Sequence, residues 1–528
     1  MSRVEKTWLL VASALVLMAV AAPFAIGWLS APAGQPFSGL LVEREDGFSY
    51  LANMRLGAEG EWLFHDMYSV QPQPKVPLYS LFMLLGHIAA PIADARLPLT
   101  TLAVTYTVAR IAFGALYLVV LYRFIAVFTE DVARRRVAWA LIVVCAGLGW
   151  LMLFGERSDP SSLPSLDLYL GEANTIVPLL AYPHPLLARA ALLAGVLCLI
   201  RAEQRRDWWL AWAAGGLWLA ATLAVPFEVL IAGGMVGGWI IARGWSTRRL
   251  PWRLVGMGLV AGVPGAALNV VTLAMIGNDP TYAGWTAQNT LALPPASQFL
   301  ATFGLQMALA IPGAALLWRE KPRHSDLLIG WAVVSPLLTL IPVPFQFRFI
   351  EGFTIPLGIL ASAALMRLAG RARLAALIGV FALLLPSSLL LIAGGGAAAA
   401  GGFGRFSAGQ AAALEWLRTQ AEPESVALSS SEFGVIIPAA APLRAALGHG
   451  FETPDFKNTQ EEVRRLYTGQ MDQAVATAWL QAHHVRYVVF GPDEARLSGV
   501  ESTPIVAELG LQQVFAQDDY HIYELRSP

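Results

Sequence analysis

The sequence predicts a polytopic α-helical membrane protein of about eleven spans with a C-terminal α/β domain outside the membrane. Three observations carry that expectation. The 528 residues are 56% hydrophobic and only 14% charged, with mean hydropathy +0.55, whereas soluble domains carry about a quarter charged residues. Apolar runs of spanning length, about 20 residues, recur through the first 402 positions. Charge is uneven: residues 403–528 hold 9 Lys/Arg and 16 Asp/Glu, against 27 and 21 in residues 1–402. So much apolar surface could not be hidden in soluble domains, which excludes a cytosolic enzyme, a disordered scaffold and a disulfide-rich module. The net charge of −1 gives no basic stripe for nucleic acid. Cys145 and Cys198 lie in apolar runs and offer neither a disulfide framework nor a thiolate metal site.

The first apolar run, 8–29, follows Arg3 and Lys6 and lacks a clear small-residue cleavage site, so it reads as a retained first helix. Further spans are expected at 99–128, 137–155, 184–200, 208–225, 226–242, 254–276, 299–318, 326–344, 350–367 and 374–396. The stretch 76–92 decides the topology. If it does not span, one side of the membrane collects Arg3, Lys6, Arg134–Arg136, the Arg201–Arg206 and Arg243–Arg253 clusters, Arg319, Lys321, Arg323, Arg367, Arg371 and Arg373, 18 basic residues in all. The opposite short loops keep six: Arg44, Arg55, Lys75, Arg96, Arg157 and Arg348. Positive loops stay cytoplasmic, so the non-spanning reading wins. It places the N-terminus inside and the C-terminal domain outside an inner or plasma membrane. Asp94, Asp159, Asp167, Glu172 and Glu351 then fall on the outer face with the acidic first loop. No GxxxxGK[ST] phosphate loop occurs, so any chemistry belongs outside.

The expected domains are a membrane body, 1–402, whose first outer loop covers 31–98, and a soluble domain, 403–528. In the latter, helical patterns at 409–419, 460–467 and 473–482 alternate with strand-like runs at 425–429, 485–490, 512–515 and 521–525. The Gly/Ala-rich stretch 394–404 reads as a compliant linker. No internal repeat is present.

The first loop is the most informative segment. If Asp46 opens a helix, Asp46, Tyr50, Asn53 and Gly57 share one face. Phe48, Leu51, Ala52 and Arg55 line another, so the helix lies along the membrane surface and offers a carboxylate and a phenol. Glu45 and Asp46 diverge by about 100°, so one of them points into a site. An acidic pair at a helix start also complements the dipole with no further role.

The loop as a whole resembles the GT-C superfamily of integral-membrane glycosyltransferases, in particular the bacterial relatives of protein mannosyltransferases and the lipid A aminoarabinose transferase. The matching residues are Glu45-Asp46 after the first helix, Tyr50 four residues on, Gly60-Glu61-Trp62, and the return Lys75-x-Pro77-Leu78-Tyr79. The departure is Val76, where the first proline of the return would stand. The resemblance implies a GT-C-like body and transfer of a sugar from a polyprenyl-phosphate donor to a hydroxyl acceptor on the outer face, with inversion at the anomeric carbon. It implies Asp46, with Glu45 second, as general base or acceptor-orienting carboxylate. Some relatives use a divalent cation with the loop carboxylates and others need none; with so few clustered carboxylates, no metal ligand is assigned here. A phosphate leaving group needs no general acid, so one carboxylate and cations for the phosphate suffice.

Substrate-binding candidates are Tyr50, Lys75, Glu172, His184, Arg189 and Arg348. Arg348 stands among aromatics in Pro344–Phe349, suited to an anionic head-group, or to pairing with Glu351. His184 is fixed between Pro183 and Pro185. Arg189 and Arg110 sit inside apolar runs, costly unless paired or lining a cavity. Asp279, Tyr282, Trp285 and Gln288 read as interfacial belt. The turn at 448–454, with His449 and Glu452, reads as a structural loop in preference to a cover for the cavity or a contact for the acceptor. A transporter or flippase, or an inactive relative in envelope polysaccharide assembly, remain as alternatives. The sugar and acceptor are not named by the sequence.

Overall fold

The computed structural model describes residues 1–92, 97–154, 165–277, 279–499 and 509–525. Asp94, Arg96, Arg157 and Asp159, assigned above to outer loops, lie outside these residues. Among the described residues, seven segments are long and apolar enough to cross a bilayer: Arg3–Leu29 (α1), Leu99–Ile125, Pro183–Arg205, Glu228–Thr247, Trp252–Ile276, Ala296–Glu320 and Gln346–Leu365. The pair Gly370–Leu384 and Pro386–Ala400, bent by 41°, makes an eighth if it is one span. Pro386 stands at that break, where its missing N–H interrupts the ladder.

The other three predicted spans are shorter helices: Val132–Val143, Trp208–Ala224 and Ser325–Leu338. The run predicted over 137–155 leaves the helix after Val143 because its peptides bond elsewhere. Leu148 N–H donates to the Ala301 carbonyl at 2.7 Å, and the Gly147 and Gly149 N–H groups donate to Asp167 at 3.0 and 3.1 Å. A 3-10 helix, Gly149–Phe154, follows. In the stretch 76–92 the helix Ser80–Ala89 has ten residues. It covers about 15 Å, half of a hydrocarbon core of about 30 Å.

Two compact units emerge. The first comprises residues 1–23, 109–271 and 291–398 and is a helical bundle. Apolar helices in lipid gain little from burying more apolar surface, so they associate through close packing at small residues. Glu228–Thr247 and Ser325–Leu338 meet backbone to backbone: a Cβ on Gly238 would stand 2.5 Å from the Gly330 carbonyl oxygen. At the basic ends, Arg135 pairs with buried Glu5 at 2.8 Å, and Arg243 pairs with Glu203 and Asp326.

The second unit comprises residues 24–108, 272–290 and 399–528. Its first-loop helices are Arg44–Ala58 (α2) and Ser80–Ala89 (α3). Its sheet contains Val426–Leu428 (β1), Arg444–Ala445 (β2), Val485–Phe490 (β3), Gln512–Gln517 (β4) and Tyr520–Glu524 (β5), in the order β2-β1-β3-β5-β4. β1 runs parallel to β2 and β3, while β5 is antiparallel to β3 and β4. The core beneath it gathers Leu428, Val463, Leu466, Tyr467, Leu480 and Val488. The predicted helices and strands of the tail are thus present; the two-residue β2 is too short to leave a periodic signal. One expectation is corrected. Residues 394–400 belong to the helix Pro386–Ala400 rather than to a compliant linker, because alanine is the best helix former and glycine is tolerated in apolar helices. The chain turns only at 401–404, where Gly402 and Gly404 take φ of +93° and +81°.

Candidate active site

The first loop folds as a helical hairpin. α2 and α3 touch through their backbones: a Cβ on Gly57 would lie 2.1 Å from the Met83 carbonyl oxygen, and one on Gly86 would lie 1.9 Å from that of Met54. This contact brings the Tyr50 ring flat onto Phe82, with centroids 4.4 Å apart at 6°, and beside Tyr79 at 6.0 Å. The residues that lead into the helices, Glu43 and Tyr79, take left-handed φ of +45° and +52°. Bulky residues seldom adopt that conformation, and strain of this kind gathers at functional sites. Arg55, also on α2, is buried and donates to the carbonyls of Ala439 at 2.9 Å, Ala440 at 3.0 Å and Leu97 at 2.8 Å. It thereby satisfies orphan carbonyls at the end of the tail helix Ile437–Ala440.

Glu45 and Asp46, at the start of α2, are both engaged by the tail turn 448–452. The Gly450 N–H donates to Glu45 Oε1 at 2.5 Å, and His449 Nε2 meets Asp46 Oδ1 at 3.2 Å. Asp46 keeps about 30% of its side chain exposed while His449 is buried. The expectation that only one carboxylate serves the site therefore needs qualifying: they diverge, yet one turn holds both. Buried Glu452, two residues beyond Gly450, accepts from Ser49 Oγ at 2.7 Å and from Tyr79 OH at 3.1 Å. The turn is itself pinned by Gln288, whose amide donates to the carbonyls of Phe451 and Thr453 and accepts from the Phe456 N–H.

Electrostatically this is an acid-rich pocket around one imidazole. Burial pushes Glu452 up, opposed by His449 and by the Ser49 and Tyr79 hydrogen bonds. Burial and then Glu452 push Asp66 well above the usual carboxylate range. Burial, Glu452, Tyr50 and Asp46 keep the Tyr79 phenol protonated, consistent with its donating to Glu452. At His449 burial alone would favour the neutral ring, but Glu452, the Asp46 hydrogen bond and charge, and Glu45 lift it to about 9. The Phe451 and Glu452 N–H groups oppose that rise. They point at Nδ1 at 3.2 and 3.3 Å and need its lone pair. In either charge state the hydrogen on Nε2 faces Asp46.

Lys75 does not pair with Asp46; its ammonium lies 2.5 Å from Glu61, on an exposed surface. Val76 is fully buried and exchanges two backbone hydrogen bonds with Phe64, donating at 2.9 Å and accepting at 2.8 Å. Proline cannot donate, which gives the departure at this position a physical reason. Asp279 caps the helix Pro280–Gln288, and Tyr282 is buried with its hydroxyl donating to the Pro74 carbonyl at 2.9 Å. Both are structural elements of this unit rather than exposed belt.

The remaining candidates belong to the first unit. Arg348 pairs with Glu172 at 3.0 Å, not with Glu351, and is about one third exposed. Arg189 is buried and fully committed. It grips Glu351 with two nitrogens and donates to the carbonyls of Asn174 at 2.9 Å and Gly171 at 2.6 Å. That arrangement gives it a structural task, joining the helix Pro183–Arg205 to the segments that carry Gly171, Asn174 and Glu351. Arg110 donates to the carbonyls of Leu179 and Leu180 at 2.6 and 2.7 Å. His184 lies beside Tyr182, ring centroids 5.3 Å apart. Sequence reasoning passed over Glu228, a fully buried carboxylate whose two oxygens lack a hydrogen-bond partner among the described residues.

No family model matches the sequence, and no curated protein does. Solved structures do. The oligosaccharyltransferase of Archaeoglobus fulgidus with a tethered acceptor peptide containing the NVT sequon aligns at TM-score 0.59 and 14% identity, over 92% of this chain and 69% of that one. The same organism's AglB, in complex with an inhibitory peptide and a dolichol-phosphate, gives 0.51 and 14% over 92% and 70%. ArnT from Cupriavidus metallidurans, bound to undecaprenyl phosphate, gives 0.50 and 14% over 97% and 98%. These neighbours are GT-C superfamily membrane glycosyltransferases.

The chain has the GT-C fold.

That fold agrees with the class expected from the first loop and with a multi-pass membrane protein. One of the GT-C neighbours was solved with zinc and sulfate. In this chain no three His, Cys, Asp or Glu side chains among the described residues converge as metal ligands. Glu452 accepts from the Ser49 and Tyr79 hydroxyls, Glu45 from the Gly450 N–H, and Asp46 meets the His449 imidazole.

Proposed function

We propose that this protein is a membrane glycosyltransferase that moves a sugar from a polyprenyl-phosphate donor to a hydroxyl acceptor on the extracytoplasmic face. The observation that carries the reading is Asp46: a partly exposed carboxylate at the start of the first-loop helix, held by an N–H of His449. In the reaction the acceptor oxygen attacks the anomeric carbon, and a new C–O bond forms. The bond from that carbon to the phosphate oxygen breaks, its electron pair leaving with the polyprenyl phosphate. Asp46 takes the acceptor's hydroxyl proton. A single displacement of this kind inverts the anomeric carbon. Tyr50, one turn along the same face, orients the carboxylate or the acceptor. Arg348, one third exposed beside Glu172, offers a guanidinium to an anionic group, and Lys75 and His184 are further phosphate candidates. The lipid phosphates bound by the solved GT-C neighbours support the donor class.

The test uses purified full-length protein in lipid nanodiscs with undecaprenyl-phosphate-linked glucose, mannose and arabinose, and envelope glycolipids as acceptors. Release of undecaprenyl phosphate with a glycosylated product supports the reading. Movement of the labelled lipid across vesicles without product would favour a transporter. No turnover with any donor would point to an inactive relative.

A further inference from the structure

We propose that the tail turn 448–452 is a working part of the active site, with His449 as the residue that positions Asp46 to receive the acceptor's proton. The inference rests on the transferase reading above and deepens it.

The argument is geometric. Asp46 and His449 are 403 positions apart in sequence, yet Nε2 stands 3.2 Å from Oδ1. The ring cannot turn without losing partners on its far side, where the N–H groups of Phe451 and Glu452 point at Nδ1. These two donors fix which nitrogen carries the hydrogen, as second partners do for functional histidines elsewhere. The same turn holds Glu45 through Gly450, and through Glu452 it ties Ser49 of α2 to Tyr79 at the entrance of α3. Gln288 anchors it from a third segment. A plain connecting loop needs no buried histidine and no buried glutamate in an acidic surrounding, because burying such groups is costly unless each finds partners. Here the partners outside the turn itself are Asp46 and Ser49 of α2 and Tyr79 at the entrance of α3. The charged and titratable groups facing the ring are Glu45 and Asp46 from α2, Glu452 from its own turn, Tyr68 with its ring centroid 5.9 Å away and, at longer range, Asp66.

An N–H aimed at a carboxylate steadies its charged form and holds it in place. Without it the carboxylate swings and takes a proton at higher pH. The experiment compares wild type, Asp46→Asn, His449→Ala and His449→Gln as full-length proteins in nanodiscs. It reads kcat and donor KM across pH, and thermal melting, with the undecaprenyl-phosphate sugar that supports wild-type transfer. His449→Ala is expected to lower kcat about 100-fold, to leave donor KM within about threefold, and to move the acid limb of the pH profile upward by about one unit. Glutamine supplies an N–H toward Asp46, so His449→Gln is expected to recover about tenfold of the loss and to restore the limb.

If both histidine variants merely melt lower, with kcat falling in step with folded protein and the acid limb unmoved, the turn is scaffolding and the inference fails. If Asp46→Asn is dead while His449→Ala turns over normally, the inference fails and the transferase reading stands. A wild type without transfer, or one indifferent to Asp46→Asn, sinks both.

Discussion

Substituting Gly86 with alanine should drive the two first-loop helices apart. The added methyl would stand 1.9 Å from the Met54 carbonyl oxygen and 2.8 Å from the Ala58 nitrogen. Carbon atoms in contact sit about 3.5 Å or more from their neighbours, so α3 must retreat from α2 by roughly 1.5 Å. The obstacle is backbone and cannot rotate aside. The cost should therefore reach the upper end of the overpacking range, about 3 kcal/mol, or about 5–10 °C in melting temperature. The retreat also separates Phe82 from Tyr50, stacked at 4.4 Å, and strains the Tyr79–Glu452 hydrogen bond. A displacement near 1 Å beside reacting groups costs about 100-fold in rate. Thermal melting in nanodiscs and donor turnover, each against Gly216→Ala, read both effects. Gly216 has nothing within 4 Å of an added methyl, so its substitution should be neutral or stabilising by up to about 1 kcal/mol. If Gly86→Ala melts and turns over like Gly216→Ala, the helix contact does not hold the site.

Val76→Pro should lower stability by about 1–3 kcal/mol, since it removes the N–H that Val76 donates to Phe64 and leaves a buried carbonyl short of a partner; faster proteolysis of the 61–79 loop would register it. Arg189→Met should cost about 3–5 kcal/mol by stranding buried Glu351, and adding Glu351→Gln should recover most of the loss in the same melting assay. His449 is lifted from 6.5 to about 9. A raised histidine contributes stability that is complete below about 6.5 and is lost as pH climbs through 9. Melting temperature should fall over that window, by the equivalent of at most about 3 kcal/mol, and His449→Gln should flatten the slope. A wild type that gains stability from pH 6.5 to 9 relative to His449→Gln would contradict the assignment.

The membrane body was legible because lipid imposes a composition that soluble proteins avoid, and every apolar run located a helix. Its boundaries were less so. Whether 137–155 forms one helix or stops at Val143 depends on peptide groups bonding to Asp167 and Ala301, a choice made by distant segments. The Gly/Ala stretch 394–400 reads as linker by composition, but flanking apolar sequence and alanine's propensity keep it helical. In the site, Asp46 and Tyr50 were visible because i and i+4 share a helix face. His449 and Glu452 were read as a structural loop in preference to a cavity cover or acceptor contact, since nothing local to 448–452 says that α2 lies against it. A His and a Glu among glycines in an otherwise soluble domain was the available signal. Lys75 was read as a substrate-binding candidate from its motif; its pairing with Glu61 depends on how the return segment bridges Phe64 and Val76, which spacing does not specify.

The most direct measurement is donor turnover by Asp46→Asn set against retention of undecaprenyl phosphate by the same protein. The account predicts that turnover falls by at least about 100-fold while the lipid is bound as tightly as by wild type, and that Glu45→Gln loses much less. Equal turnover by wild type and Asp46→Asn would contradict it.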